Sequence, residues 1–176
     1  MTEESQKAKE KRIFEVNPNF KKELSKIPGS EKLMLCFQCG TCTAECPIAR
    51  FSDSYRPRQI IRMAQLGLKN EVLSSETIWL CSTCYTCTAY CPQDVELADV
   101  IRVLRNMAVK EGYIPQVSKD MVSSILAGGY AYTIPPSRLR RRETSGLPPL
   151  PKGDTKIILR LADVVGFSKL IKKEAI

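Results

Sequence analysis

From Arg58 onward, Ile60, Ile61, Met63 and Ala64 fall on one face of a helix that stops near Gly67. Between Val95 and Glu111 a second face is drawn by Leu97, Val100, Ile101, Leu104 and Ala108, with Gly112 as its stop. Both stretches carry the core R-x-[IL]-x-x-M-A, Arg58 to Ala64 and Arg102 to Ala108, with a one-residue slip in register. Ser118 as cap and Gly128-Gly129 as stop predict another helix over Lys119 to Ala127, and Pro28-Gly29 closes a short one over Phe20 to Ile27.

After Gly129 the pattern changes. Pro135-Pro136, the cluster Arg138-Leu139-Arg140-Arg141-Arg142 and Leu147-Pro148-Pro149-Leu150-Pro151 predict an extended, polyproline-like arm. Asp154 to Lys173 spaces Ile157, Ile158, Leu161, Val164, Val165 and Ile171 at roughly helical intervals, with Gly166 interrupting it. At the other end, Met1 to Arg12 is dense in charge and predicts a mobile or partner-bound segment. The resulting division is an N-terminal arm over 1–29, a helical domain over 30–129 and a docking extension over 130–176.

The middle of the chain repeats itself with a shift of 45 residues: from Ser30 to Pro47 against Ser75 to Pro92, 11 of 18 positions are identical. In each copy a serine stands as N-cap before a glutamate, Ser30-Glu31 and Ser75-Glu76, so each predicts a short helix that leads to the first cysteine of its copy. An internal duplication explains the pattern.

With 176 residues, 43% of them apolar, the chain can bury one modest core. The charged start offers no signal peptide, and Ile157 to Phe167, the longest apolar stretch, is broken by Arg160 and Asp163, well short of the ~20 residues a spanning helix needs. A cytoplasmic protein with no membrane span is expected. The net charge of +8 raises polyanions as partners. Two clusters bound by thiolates would lower that to about +4, so no nucleic-acid partner is expected. The Arg138 to Arg142 group has three readings: a solvated surface, a contact with an acidic partner protein, or an anionic polymer.

All eight cysteines lie in the repeat, as Cys36-x2-Cys39-x2-Cys42-x3-Cys46-Pro47 and Cys81-x2-Cys84-x2-Cys87-x3-Cys91-Pro92. This is the run of bacterial two-cluster ferredoxins, in which the cysteine before proline ligates the other cluster. It assigns Cys36, Cys39, Cys42 and Cys91 to one [4Fe-4S] cluster and Cys81, Cys84, Cys87 and Cys46 to its neighbour. Pro47 and Pro92 turn the chain away after each last ligand. Zinc would favour separated pairs, often with histidine, and the chain has no histidine. Disulfides would need an oxidising compartment.

The βαββαβ ferredoxin fold is a poor match, because the segments between Pro47 and Cys81 have helical period. The expected fold class is all-α, an α-helical ferredoxin-like domain with two [4Fe-4S] clusters and extended N- and C-terminal arms. Phe37, Trp79 and Tyr85 are candidates for excluding water from the clusters, with core packing the plainer role for Trp79. Thr41, Thr43, Thr86 and Thr88 are candidate hydroxyl donors to sulfur. There is no G-x-G-x-x-G loop, no P-loop, no histidine base and no uncommitted thiol, so catalytic residues are not expected and the chain reads as an electron carrier.

Leu35-Cys36-Phe-Gln-Cys39-Gly-Thr-Cys42-Thr-Ala-Glu-Cys46-Pro47, Ile78-Trp79-Leu-Cys81 and the helix after Pro92 together resemble the small iron-sulfur protein, the C subunit, of the soluble CoB–CoM heterodisulfide reductases of methanogenic archaea and related anaerobes. The resemblance covers roughly Ser30 to Gly129. It implies a cytoplasmic complex in which electrons pass from a flavin-bearing A subunit through this chain to a B subunit. The B subunit then reduces the disulfide of coenzyme M and coenzyme B, with a hydrogenase or formate dehydrogenase as a further associate. The doubled-cysteine motif of the B subunit is absent from this sequence, which leaves disulfide chemistry to the partner. Two alternatives stay open on the sequence alone: the iron-sulfur subunit of a quinone-linked dehydrogenase of the succinate, fumarate or glycolate type, and an iron-sulfur nucleic-acid-binding protein.

Overall fold

A computed structural model describes residues 14–151 and 153–167, so the expectations for Met1 to Arg12 and for the end of the last helix, Ile171 included, lie outside the described residues. Every regular element among the described residues is helical and none is a strand, as the periodicity predicts. In chain order they are α1 (Phe20–Leu24), a 3₁₀ turn (Glu31–Leu35), α2 (Thr41–Ala44), α3 (Pro57–Leu66), α4 (Lys69–Ser74), a second 3₁₀ turn (Glu76–Leu80), α5 (Thr86–Ala89), α6 (Leu97–Glu111), α7 (Gln116–Gly128), α8 (Pro136–Thr144) and α9 (Thr155–Val164). Contacts divide the chain into two compact units, Met1–Met107 and Ala108–Ile176, with the boundary inside α6.

The first unit is organised around α3. Pro57 sits in its first turn, where a missing N–H costs nothing, and Gly67 ends it in the left-handed conformation, with the Leu68 N–H returning to the Met63 carbonyl at 3.0 Å. Its apolar stripe, Ile60, Ile61 and Ala64, is fully buried, and α3 packs on α1, α2, α4 and the first 3₁₀ turn. Phe20, Leu24, Leu33, Val72, Ile78 and Leu104 complete the core. Phe20 and Leu24 thus anchor a segment whose sequence reads as part of an arm.

The duplication reappears as repeated geometry, but its capping differs between copies. Ser75 caps the second 3₁₀ turn by accepting from the Thr77 N–H, as predicted. Ser30 makes no such cap; its buried hydroxyl lies 2.6 Å from the Leu24 carbonyl and 2.9 Å from that of Ile27, donating backward to close α1. Ser30→Ala would remove the side-chain donor from those carbonyls, which keep the N–H groups of Ile27 and Ser30, and should cost about 1 kcal/mol, read as a lower denaturation midpoint at unchanged iron content.

In the second unit α7 begins at Gln116 behind Pro115, two residues ahead of the predicted Ser118 cap, and it packs on α9. The extended arm expected after Gly129 is corrected in part: Pro136 opens α8, because proline's fixed φ suits a first helical turn, while 147–151 form no regular element. α9 is capped by Asp154, whose carboxylate accepts from the N–H groups of Lys156 and Ile157. Asp154→Ala should lower the stability of this unit by about 1 kcal/mol, visible as faster amide exchange in α9.

Candidate functional site

Each cysteine run wraps a loop between a 3₁₀ turn and a one-turn helix, and the same two backbone positions are twisted in both copies. Gln38 (φ 66°) corresponds to Thr83 (φ 55°), and Gly40 (φ 92°) to Tyr85 (φ 60°). For a β-branched threonine this left-handed backbone costs about 1–3 kcal/mol. Such turns swing successive N–H groups to one side and form the anion-binding concavities common to phosphate and iron-sulfur sites. The strain is therefore explained by the loop's task.

α2 and α5 pack together, which brings the two runs side by side. Cys46, Cys81, Cys84 and Cys87 line one cavity, closed by Pro47, Ile48, Tyr55 and Ala98. The Cys42 thiol lies within the electrostatic reach of Cys36, Cys39 and Cys91, and Cys87 within that of Cys81, Cys42 and Cys84. Cys91, the last cysteine of the second run, thus joins three of the first, and the cavity joins Cys46 to three of the second, while Cys87 also feels Cys42 across the two.

Burial pushes the Cys42 thiol up and the Cys87 thiol up to about 11. Hydrogen bonds from Thr41 and Thr86 lower those of exposed Cys39 and Cys84, and both hydroxyls lie 3.4 Å from sulfur. Metal binding by the buried thiols must release their protons. Four thiolates on one zinc must converge to about 2.3 Å from a point. A cubane instead spreads its cysteines over four irons. A donor set of thiols alone, with the Thr83 N–H donating to Cys81 Sγ at 3.4 Å and the Val95 N–H to Cys91 Sγ at 3.3 Å, fits a [4Fe-4S] group.

The expected surroundings are partly corrected. Phe37 is 61% exposed and does not seal its loop from water, whereas Tyr85, partly exposed, is among the residues that line the Cys46, Cys81, Cys84 and Cys87 cavity. Trp79 is half-buried beneath the Arg105 guanidinium, 5.7 Å from the ring centre. Thr43 accepts from the Arg58 N–H and its hydroxyl also lowers the Cys42 thiol, and the buried Thr88 hydroxyl acts in the same way on the Cys87 thiol.

Three residues outside the cysteine runs matter more than those. Tyr55 is buried, with Cys81 as its hydrogen-bonding neighbour; burial and the nearby Cys81, Cys46 and Cys87 drive its phenol far above the ordinary range. Gln65 donates to the carbonyls of Leu33 and Cys36 at 3.1 and 2.9 Å. Arg105 holds the corresponding loop by donating to Ile78, Trp79 and Cys81 carbonyls at 2.9, 3.2 and 2.6 Å. A sequence signal existed for Arg105 alone: it is a charge at the position that Ile61 occupies in the first R-x-[IL]-x-x-M-A core.

Residues 32–95 match the family described as a 4Fe-4S dicluster domain. The chain is 37% identical over 162 residues to the C subunit of the H(2):CoB-CoM heterodisulfide,ferredoxin reductase of Methanothermobacter thermautotrophicus, covering 87% of each. It is 35% identical to the iron-sulfur C subunit of the CoB-CoM heterodisulfide reductase of Methanopyrus kandleri, over 89% of this chain and 88% of the relative. It is 33% identical to the C subunit of the Ferredoxin:CoB-CoM heterodisulfide reductase of Methanosarcina mazei, over 80% and 86% respectively. No helix among the described residues is long and apolar enough to cross a membrane.

Proposed function

The chain belongs to the family of heterodisulfide reductase C subunits, and from that premise we propose that it is the complex's electron relay, passing electrons from a flavin-bearing A subunit to a disulfide-reducing B subunit. Two [4Fe-4S] clusters, one held by Cys36, Cys39, Cys42 and Cys91 and one by Cys81, Cys84, Cys87 and Cys46, would supply one-electron chemistry. The observation that carries this is the mixing of the two runs: Cys46 lines a cavity with the second run, and Cys91 acts on Cys42 of the first. Crossed ligands hold two redox centres close together, as a relay requires. In the proposed cytoplasmic complex, residues 30–129 bear the clusters, with α1 of the 1–29 segment packed against that domain, and 130–176 serve attachment.

The chain's own residues hold and tune the sites. Tyr55 closes one cavity against water, and Gln65 and Arg105 fix the loop carbonyls so that the loop amides hold their places. In the assembled complex, freeze-quench EPR after electrons are supplied at the flavin should find this chain's clusters reduced and then reoxidised by added heterodisulfide within one turnover. Clusters that stay in one redox state while disulfide is consumed would overturn the relay.

A further inference from the structure

We infer that the surface beside the Cys36 loop is the docking site for an acidic redox partner, and that the duplicated loop at Cys81 offers no such pair of free guanidiniums. A broad groove there is lined by Cys36, Phe37, Gln38, Arg58 and Arg62. Phe37 is mostly exposed, and Met34 and Leu35 just before it are about half-exposed. The Arg58 guanidinium reaches only the Gln38 carbonyl, at 3.4 Å, and Arg62 makes no hydrogen bond or ion pair among the described residues. Arg56 contributes little net charge, because Asp53 pairs with it at 2.8 Å.

The second copy is an internal control. At the place of Arg58 stands Arg102, neutralised by Asp99 at 2.5 Å, with the Tyr85 hydroxyl donating to the same carboxylate. Arg62 is matched by Asn106, and Phe37 by Ser82. One scaffold thus presents two unpaired arginines at the rim of one loop, whereas at the other Arg102 is paired and the half-buried Arg105 is turned onto the Ile78, Trp79 and Cys81 carbonyls. Arginine and aromatic side chains together are the usual anchors of an interface, and two unpaired guanidiniums select an acidic surface and speed its approach. Exposed Cys39 in this loop puts the proposed cluster next to whatever docks. The partner's redox character rests on the relay reading; the acidic character rests on the rim alone.

The test uses the assembled complex, purified without oxygen through a tagged copy of this chain. R62K keeps the charge and adds an amine, so a zero-length carbodiimide should join it to an aspartate or glutamate of a co-purifying protein, while N106K at the matched position should not be joined. R62E should weaken that protein's association about tenfold near physiological salt and flatten its salt dependence. Absence of an R62K cross-link, equal cross-linking at N106K, or unchanged association of R62E would each overturn the docking assignment. Iron content and EPR of the same R62E preparation keep the two ideas apart: normal clusters with unchanged association sink the docking site only, and a chain without iron sinks the relay while the cross-link still decides the docking.

Discussion

Replacing Cys39 and Cys91 together by alanine should leave about four irons per chain, whereas replacing Cys84 and Cys91 together should leave almost none. With crossed ligands, the first pair damages a single cluster twice, and the second pair damages both clusters once. The underlying geometry is the electrostatic grouping of Cys91 with Cys36, Cys39 and Cys42, and the lining of the other cavity by Cys84 with Cys46. If each run served its own cluster, the outcomes would be exchanged: Cys84 and Cys91 would then belong to one site, and Cys39 and Cys91 to two. Iron and acid-labile sulfide determinations on the two double variants read the difference directly, a factor that no modest change in folding yield would mimic in opposite directions.

Gly67→Ala should be among the most damaging single substitutions outside the cysteines. A Cβ at Gly67 would stand 2.2 Å from the Asn17 carbonyl oxygen and 2.9 Å from its carbon, and the residue has φ +80°. The neighbouring atoms are backbone, held by the Asn17 N–H donating to the Gly67 carbonyl at 2.8 Å, so they cannot rotate away. Relief requires the segment before α1 to separate from the end of α3, which loosens buried Phe20 and Leu24. About 3 kcal/mol or more is expected, combining the left-handed backbone with lost packing. Gly112→Ala is the comparison: φ is +97° there, but nothing lies within 4 Å of the added carbon, and only about 1 kcal/mol should be lost. Anaerobic denaturation of the two variants at matched iron content separates them, and equal midpoints would contradict the clash.

The parts of the fold that were legible in the sequence are those fixed by local repetition. Helical spacing at Ile60, Ile61 and Ala64 and at Leu97, Val100, Ile101 and Leu104 marked α3 and α6, because burial on one face imposes that period. The cysteine spacing marked both loops, since the chain must place thiolates at intervals that wrap a cubane. What stayed hidden depends on tertiary neighbours. Ser30 and Ser75 look alike in sequence, yet only the second caps its turn, because the Leu24 carbonyl at the end of α1 and the Ile27 carbonyl just beyond it take the hydroxyl of the first. Tyr55 belongs to neither repeat, and its place over Cys81 follows from how the chain returns between the copies. Pro135-Pro136 read as extended because proline ends helices more visibly than it begins them, although Pro136 stands where a first turn accepts it. Left-handed Thr83 and Tyr85 carry no glycine to announce them.

The most direct test is to purify the chain without oxygen, determine iron and sulfide, and follow low-temperature EPR through a reductive titration. About eight irons and eight sulfides per chain, with a spectrum that changes from one isolated paramagnet to a spin-coupled pair as the second centre is reduced, is the expected result. Four irons, zinc in their place, or two reduced centres that do not sense one another would contradict the side-by-side pair on which the relay depends.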